Sequence, residues 1–260
     1  MKRILEKVGG FIITTIKNGG YGTLLVIESV YWLRAIFSKK REILAQLYVC
    51  AVQSLPVTML VGAFVGMVLA LQTGLALRPY GMEGLISQVA GASMTREMGP
   101  LMTAIILAGR VGSAMAAELG SMKVSEEIEA LEVMSISPVK FLVMPRIFAL
   151  TLAAPILTVY ANIIGIIGAA LVGNLQIGVG VYVFFRDCFN FITFKDIYSG
   201  LAKSVVFGMA IAGVSCSEGM RCTGGTLGVG VATRHAVVVS LLTILLFNYI
   251  MTSFIVRFIY

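Results

Sequence analysis

Charge is scarce in this chain. Only 13% of its 260 residues are Asp, Glu, Lys or Arg, whereas 58% are hydrophobic and the mean hydropathy is +0.94. A soluble domain carries about 25% charged residues, so too little polar surface is present to cover a soluble globule of this size. The shortage excludes a soluble enzyme, a disordered chain and a fibrous protein, and leaves a polytopic membrane protein. Histidine is scarcer still, His235 being the only one. Metal catalysis normally needs several ligands. There is also no H-E-x-x-H, no G-x-x-x-x-G-K-[ST] phosphate loop and no paired nucleophile and base. The chain is therefore expected to be no enzyme, to hold no metal and to bind no ATP itself. Cys50, Cys188, Cys216 and Cys222 form no C-x-x-C pair and no metal-ligand spacing, and read as small buried hydrophobes. A cleavable signal peptide is not expected either, because Glu6, Lys7 and Lys17 interrupt the first apolar residues.

What is present in abundance is apolar sequence of membrane-crossing length. A transmembrane helix needs roughly 20 mainly apolar residues. Five stretches qualify, giving an all-α protein with spans near Val49–Leu77, Gly99–Leu119, Ile147–Leu175, Ile197–Cys216 and Ala236–Val256. Pro56 and several glycines suggest a kink or break in the first span. Small residues dominate the second, including Gly109-Arg110-Val111-Gly112-Ser113, where they permit close helix packing. The net charge is +7, which on a soluble protein would suggest nucleic acid. Here it is a matter of topology. With the N-terminus inside, segments 1–48, 120–146 and 218–234 hold 8, 3 and 2 basic residues. Segments 78–97, 176–196 and the C-terminal end hold 2, 2 and 1. The bias orients the chain with its N-terminus in the cytoplasm and its C-terminus outside, and nucleic acid is not an expected partner.

Residues 1–41 differ from the rest. They mix apolar and aromatic residues, such as Phe11, Ile16, Tyr31, Trp32 and Phe37, with eight basic ones, and Gly19, Gly20 and Gly22 interrupt them. A basic, aromatic-bearing amphipathic segment reads as a helix lying in the membrane interface. Residues 49–256 form the transmembrane region of what is expected to be a single domain over 1–260.

Charges at membrane depth carry the functional information, since each costs about 2.5–3.5 kcal/mol at a helix centre and usually faces a cavity or a partner. Arg96 and Glu97 stand at the entrance of the second span, before Gly99-Pro100, and Lys203 lies within the fourth. They could line a cavity that takes an anionic group, or equally pair structurally between helices. Arg110 and Glu118, eight residues apart on roughly one side of the second span, read rather as structural pairing. His235 reads as an interfacial side chain at the start of the last span.

The loop 120–146 is unusual. Glu126, Glu127, Glu129 and Glu132 place four of the thirteen acids within seven residues, and Ile128, Leu131, Met134 and Ile136 form an apolar stripe among and after them. Pro138 is expected to end the helix. A short acidic amphipathic helix held between two spans suits docking to a basic groove on a cytoplasmic partner. The Gly-rich segment SEGMRCTGGTLGVGVATRH, beginning at Ser217, is read as the next cytoplasmic loop.

From Ser93 to Ala149 the run SMTREMGPLMTAIILAGRVGSAMAAELGSMKVSEEIEALEVMSISPVKFLVMPRIFA carries R-E-x-G-P, A-G-R-x-G-S-A, A-E-L-G, E-x-I-x-A-L-x-x-M and P-R. With LAKSVVFG at 201–208 and GGTLGVGVATRHAVV at 224–238, the chain resembles the MlaE/YrbE permease family along almost its whole length. The resemblance implies a permease subunit of an ABC transporter. It would move phospholipids or related lipids between the bacterial inner membrane and an MCE-domain carrier. It implies a homodimer, a cytoplasmic ATPase dimer that binds ATP and Mg, an MCE-domain ring outside, a small cytoplasmic accessory subunit and membrane lipids as partners. The family's coupling helix matches Glu126 to Met134, including Glu127, Glu129, Leu131 and Glu132. Its charged cavity pair matches Arg96 and Glu97, and its fourth-span lysine matches Lys203. An acidic residue that some members carry in the last span is Asn248 here. The rival reading is an ion-coupled secondary transporter built on the same intramembrane charges, though no inverted repeat of the kind such folds often show is visible.

Overall fold

The computed structural model describes residues 19–32 and 39–258, and its secondary structure there is helical. The rest of the interfacial segment expected over 1–41 lies outside the described residues. The helices are α1 (19–31), α2 (Lys40–Ala51), α3 (Leu55–Leu77), α4 (Ile86–Ser93) and α5 (Gly99–Leu107). They continue as α6 (Ser113–Val124), α7 (Glu127–Val133), α8 (Met144–Val172), α9 (Val181–Phe191), α10 (Phe194–Met220) and α11 (Gly225–Phe258). Widened π turns at Met94–Met98, Ala108–Gly112, Val139–Val143 and Gly173–Ile177 join or extend several of them.

Five helical runs among the described residues are long and apolar enough to cross a membrane: Lys40–Tyr80, Glu83–Val124, Val139–Ile177, Phe194–Met220 and Gly225–Phe258. The number agrees with the sequence reading, but every run begins earlier than expected, most of all the second and the fifth. The second run begins at Glu83 rather than Gly99, because the charges that lowered its hydropathy are paired inside it. The fifth begins at Gly225, so most of the expected Gly-rich loop is helix, and His235 lies nearly three turns into α11. The first is interrupted as expected: a 3-10 turn at Val52–Ser54 separates α2 from α3, and Pro56 sits in the opening turn of α3, where its missing N–H has no helical partner to lose. Two helices, α4 and α9, fall where only outer segments were expected.

The chain divides into two compact units. One takes in Tyr48–Leu107, Thr151–Gly208 and Ile244–Tyr260. Its core gathers Ala70, Ile86, Ala90, Met94, Ile166, Ala169, Ala170, Phe184 and Cys188. Burial pushes the Cys188 thiol up to about 11. The glycines of α3 make a seam rather than a kink. Thr58, Gly62, Gly66, Ala70 and Gly74, spaced every four residues, are its buried face. A Cβ on Gly62 would stand 2.9 Å from the Ala161 carbonyl oxygen, and one on Gly66 would collide with the Gly165 carbonyl. On α8, a Cβ at Gly168 would come within 2.6 Å of the Ala63 carbonyl oxygen. Without side chains between them the two backbones touch, the usual way helices associate where lipid removes the hydrophobic drive. The opposite face of α3 exposes Leu60, Phe64, Val68 and Leu75, as a surface bathed in acyl chains should.

The other unit takes in the described parts of Met1–Leu47 with Ala108–Leu150 and Met209–Thr243. Gly219 lets α10 lie against Ala116 and Leu119 of α6. Arg146, in the first turn of α8, donates to Glu118 at 3.0 Å and to the Leu142 carbonyl at 2.9 Å. Glu118 thus has an interhelical structural partner. Arg110 is exposed.

Candidate functional site

The polar centre begins with a proline. Pro100 has no N–H, so it cannot donate to the carbonyl of Arg96 four residues earlier. The backbone before it relaxes into the π turn Met94–Met98. Lys203 Nζ donates to the Arg96 carbonyl at 3.2 Å. The same ammonium reaches Glu97 Oε1 at 2.5 Å and Thr252 Oγ1 at 2.7 Å, and the Thr252 hydroxyl donates to Glu97 Oε1 at 3.0 Å. Lys203 is only 1% exposed. All three of its donor sites are therefore used, which is what a buried ammonium requires.

The sequence reading brought Arg96, Glu97 and Lys203 together, and the structure does so too. It also adds a partner that the reading missed. Arg96 Nε donates to Asp196 Oδ1 at 2.7 Å, and Asp196 is fully buried. Its second oxygen accepts from the Thr193 N–H at 2.8 Å and the Thr193 hydroxyl at 2.9 Å. This is one half of a capping-box arrangement at the start of α10. Asp196 and Lys203 are seven residues apart, hence on one face of α10. Gly200 lies between them, and a Cβ there would collide with the Thr95 carbonyl. One glycine-floored face of α10 thus offers an acid and a base to the adjacent base and acid of the π turn. The four formal charges cancel.

Arg96 and Lys203 could either line a cavity for an anion or pair between helices. In this structure each is engaged by a carboxylate, because a cation at this depth without a counter-charge would be costly. Asn248, at the position where an acid was considered, has a buried Oδ1 with no hydrogen-bond partner, and so does Asn162. Next to the π turn, Thr95, Asn162, Ile163, Ile166, Phe189, Ile192 and neighbouring apolar residues line a cleft of about 380 Å³.

The acidic loop residues form α7. Glu126, Glu127 and Glu132 are exposed, as are Val133 (86%) and Met134 (68%). Leu131 is half-buried, and Ile128 is the one residue of the expected apolar stripe that is buried. Glu129 pairs with Lys123 of α6. That lysine's hydrogen bond holds the Glu129 carboxyl below the usual carboxylate range, so Glu129 is a tether within the chain. Pro138 does not end the helix. Ser135 does, at φ 61°: its N–H bonds the Glu132 carbonyl at 2.9 Å and the Ile136 N–H bonds the Leu131 carbonyl at 2.9 Å. That is a Schellman closure with serine where glycine is usual. Glu126, at the other end, also has positive φ, at 59°. Among the described residues these are the two non-glycine positions in that region, and they bracket α7.

Among the described residues, no three His, Cys, Asp or Glu side chains gather as a metal would need. The architecture defines a class, a multi-pass helical membrane protein with a compensated charge cluster inside its spans and a short acidic helix between the second and third. Residues 43–254 match the family model of the permease MlaE, and the chain belongs to that family. It is 38% identical over 213 residues to a probable ABC transporter permease protein of Synechocystis, covering 82% of this chain and 81% of that one. It is 36% identical over 209 residues to the intermembrane phospholipid transport system permease protein MlaE of Haemophilus influenzae, covering 80% of each. The chloroplastic protein trigalactosyldiacylglycerol 1 of Arabidopsis thaliana is 37% identical over 214 residues, which are 82% of this chain and 61% of that protein.

Proposed function

We propose that the chain is the permease subunit of an ABC transporter that moves phospholipid between the bacterial inner membrane and an MCE-domain carrier outside. It works as a homodimer with its N-terminus in the cytoplasm, and ATP and Mg bind in a separate cytoplasmic ATPase dimer. The observation that carries this reading is α7. It is a short helix whose exposed acids Glu126, Glu127 and Glu132 stand beside the exposed apolar tip Val133 and Met134, while Ile128 and Glu129 anchor it to its own chain. Charge around an apolar anchor is how a helix is gripped in a partner's groove.

Movement of α7 under the ATPase would pass along the spans to the charge cluster, where lipid head groups meet Lys203 as Glu97 lets go and reach the exposed side of Arg96 while Asp196 stays in place. The nucleotide can drive this only by favouring one arrangement of the helices over the other. The test is co-purification. The double change E127R with V133D is expected to cut recovery of the ATPase severalfold while membrane insertion of the permease stays unchanged. Undiminished recovery would remove α7 from the coupling role, and lipid transfer by the chain without an ATPase would overturn the ABC reading.

A further inference from the structure

We infer that Asp196 sets the head-group selectivity of the charge cluster by occupying Arg96, an inference that rests on the lipid-permease reading above. The cluster as folded is electroneutral: Asp196 on Arg96, Glu97 on Lys203. The two halves are not equally held. Glu97 keeps 30% of its side chain exposed, whereas the Asp196 side chain is fully buried. The Asp196 carboxylate is fixed at both oxygens, by Thr193 on one side and Arg96 on the other. Thr193 and Asp196 belong to the opening turn of α10, so this carboxylate is part of the helix's own end and has little freedom to swing away.

The Arg96 side chain is 36% exposed on the side that Asp196 does not cover. A group entering from that side meets a guanidinium already neutralised in part by a carboxylate it cannot displace cheaply. A head group of net zero charge, which brings its own cation as well as its phosphate, adds no uncompensated charge. A head group of net negative charge does, and like charges placed together at low dielectric repel strongly. Asp196 is therefore a positioning and specificity residue acting through Arg96, and it tilts the site toward zwitterionic lipids.

The test compares two photoactivatable probes, phosphatidylglycerol and phosphatidylethanolamine, each at trace level in nanodiscs holding the intact permease complex. Labelling is read as the ratio of the two in peptides around residues 94–103 and 196–203. Asp196→Asn is expected to raise the phosphatidylglycerol to phosphatidylethanolamine ratio severalfold. Adding Arg96→Gln to it should return the ratio to the wild-type value, because the effect runs through Arg96. An unchanged ratio in D196N, or a raised one that persists in the double variant, overturns the inference. If D196N does not fold, Arg96→Gln alone leaves the Thr193 cap of α10 in place. It is expected to lower the phosphatidylglycerol to phosphatidylethanolamine ratio severalfold, and an unmoved ratio there counts against the role. Labelling of the wild type by neither probe would bring down the lipid reading itself, a result distinct from labelling with an unmoved ratio.

Discussion

At the scale of single residues, the charge cluster makes a sharp demand on Lys203. Its ammonium serves a carboxylate, a carbonyl and a hydroxyl at once. Lys203→Met should lower stability by about 2 kcal/mol, less than the 3–5 kcal/mol of a fully buried broken pair because Glu97 keeps some exposure. Pairing it with Glu97→Gln should recover part of that loss, since the stranded carboxylate is then gone. A double-mutant cycle on thermal unfolding in detergent measures the coupling, and strictly additive losses would deny the pair. Lys203 was legible in the sequence because a charge in an apolar run is conspicuous, and Arg96 and Glu97 because they stand at a span entrance within R-E-x-G-P. Asp196 was not. It sits at the edge of the fourth span beside Lys195, where a charge looks like an ordinary loop residue, and only the fold shows that the helix end is buried. Thr252 left no trace either, since a threonine does not disturb hydropathy.

Among the elements, the seam between α3 and α8 and the closure of α7 yield the clearest expectations. Gly66→Ala forces a methyl against the Gly165 carbonyl and should cost about 1–3 kcal/mol, as overpacking does. Gly230→Ala in α11 meets nothing within 4 Å and should be neutral or stabilising by about 0.5–1 kcal/mol. Thermal melting of the two variants side by side checks the contrast. Ser135→Gly should relieve the left-handed strain by about 1 kcal/mol. Hydrogen exchange of the α7 amides should then slow, and faster exchange would argue against the Schellman closure. The sequence pattern located α7 within a residue or two, yet it chose the wrong terminator. Proline is a strong stop signal on paper, but a serine with left-handed backbone stops the helix three residues earlier, and no propensity scale announces that. Pro56 was the better guide: a proline inside an apolar run marks the break, because it opens α3 directly after the 3-10 turn at Val52–Ser54.

For the molecule as a whole, the proposed cytoplasmic N-terminus and the five candidate spans among the described residues predict a C-terminus outside. A periplasm-active reporter fused after Tyr260 should be active and one fused within 126–134 silent, and the reverse pattern would invert the topology. Length and hydropathy made the spans readable because the bilayer sets a length that sequence must meet. Their limits were less readable, since paired charges and helical glycines lower apparent hydropathy without ending a helix. The α3–α8 seam has a consequence for variation over generations. Every replacement available to Gly66 or Gly165 is an enlargement, so no neighbouring sequence repairs the fit by becoming smaller. In a saturation library these positions should tolerate a single residue, while the lipid-facing Leu60, Phe64 and Val68 one ridge away accept almost any apolar side chain. The most plain-looking residues of the chain are then the ones with the narrowest mutational freedom.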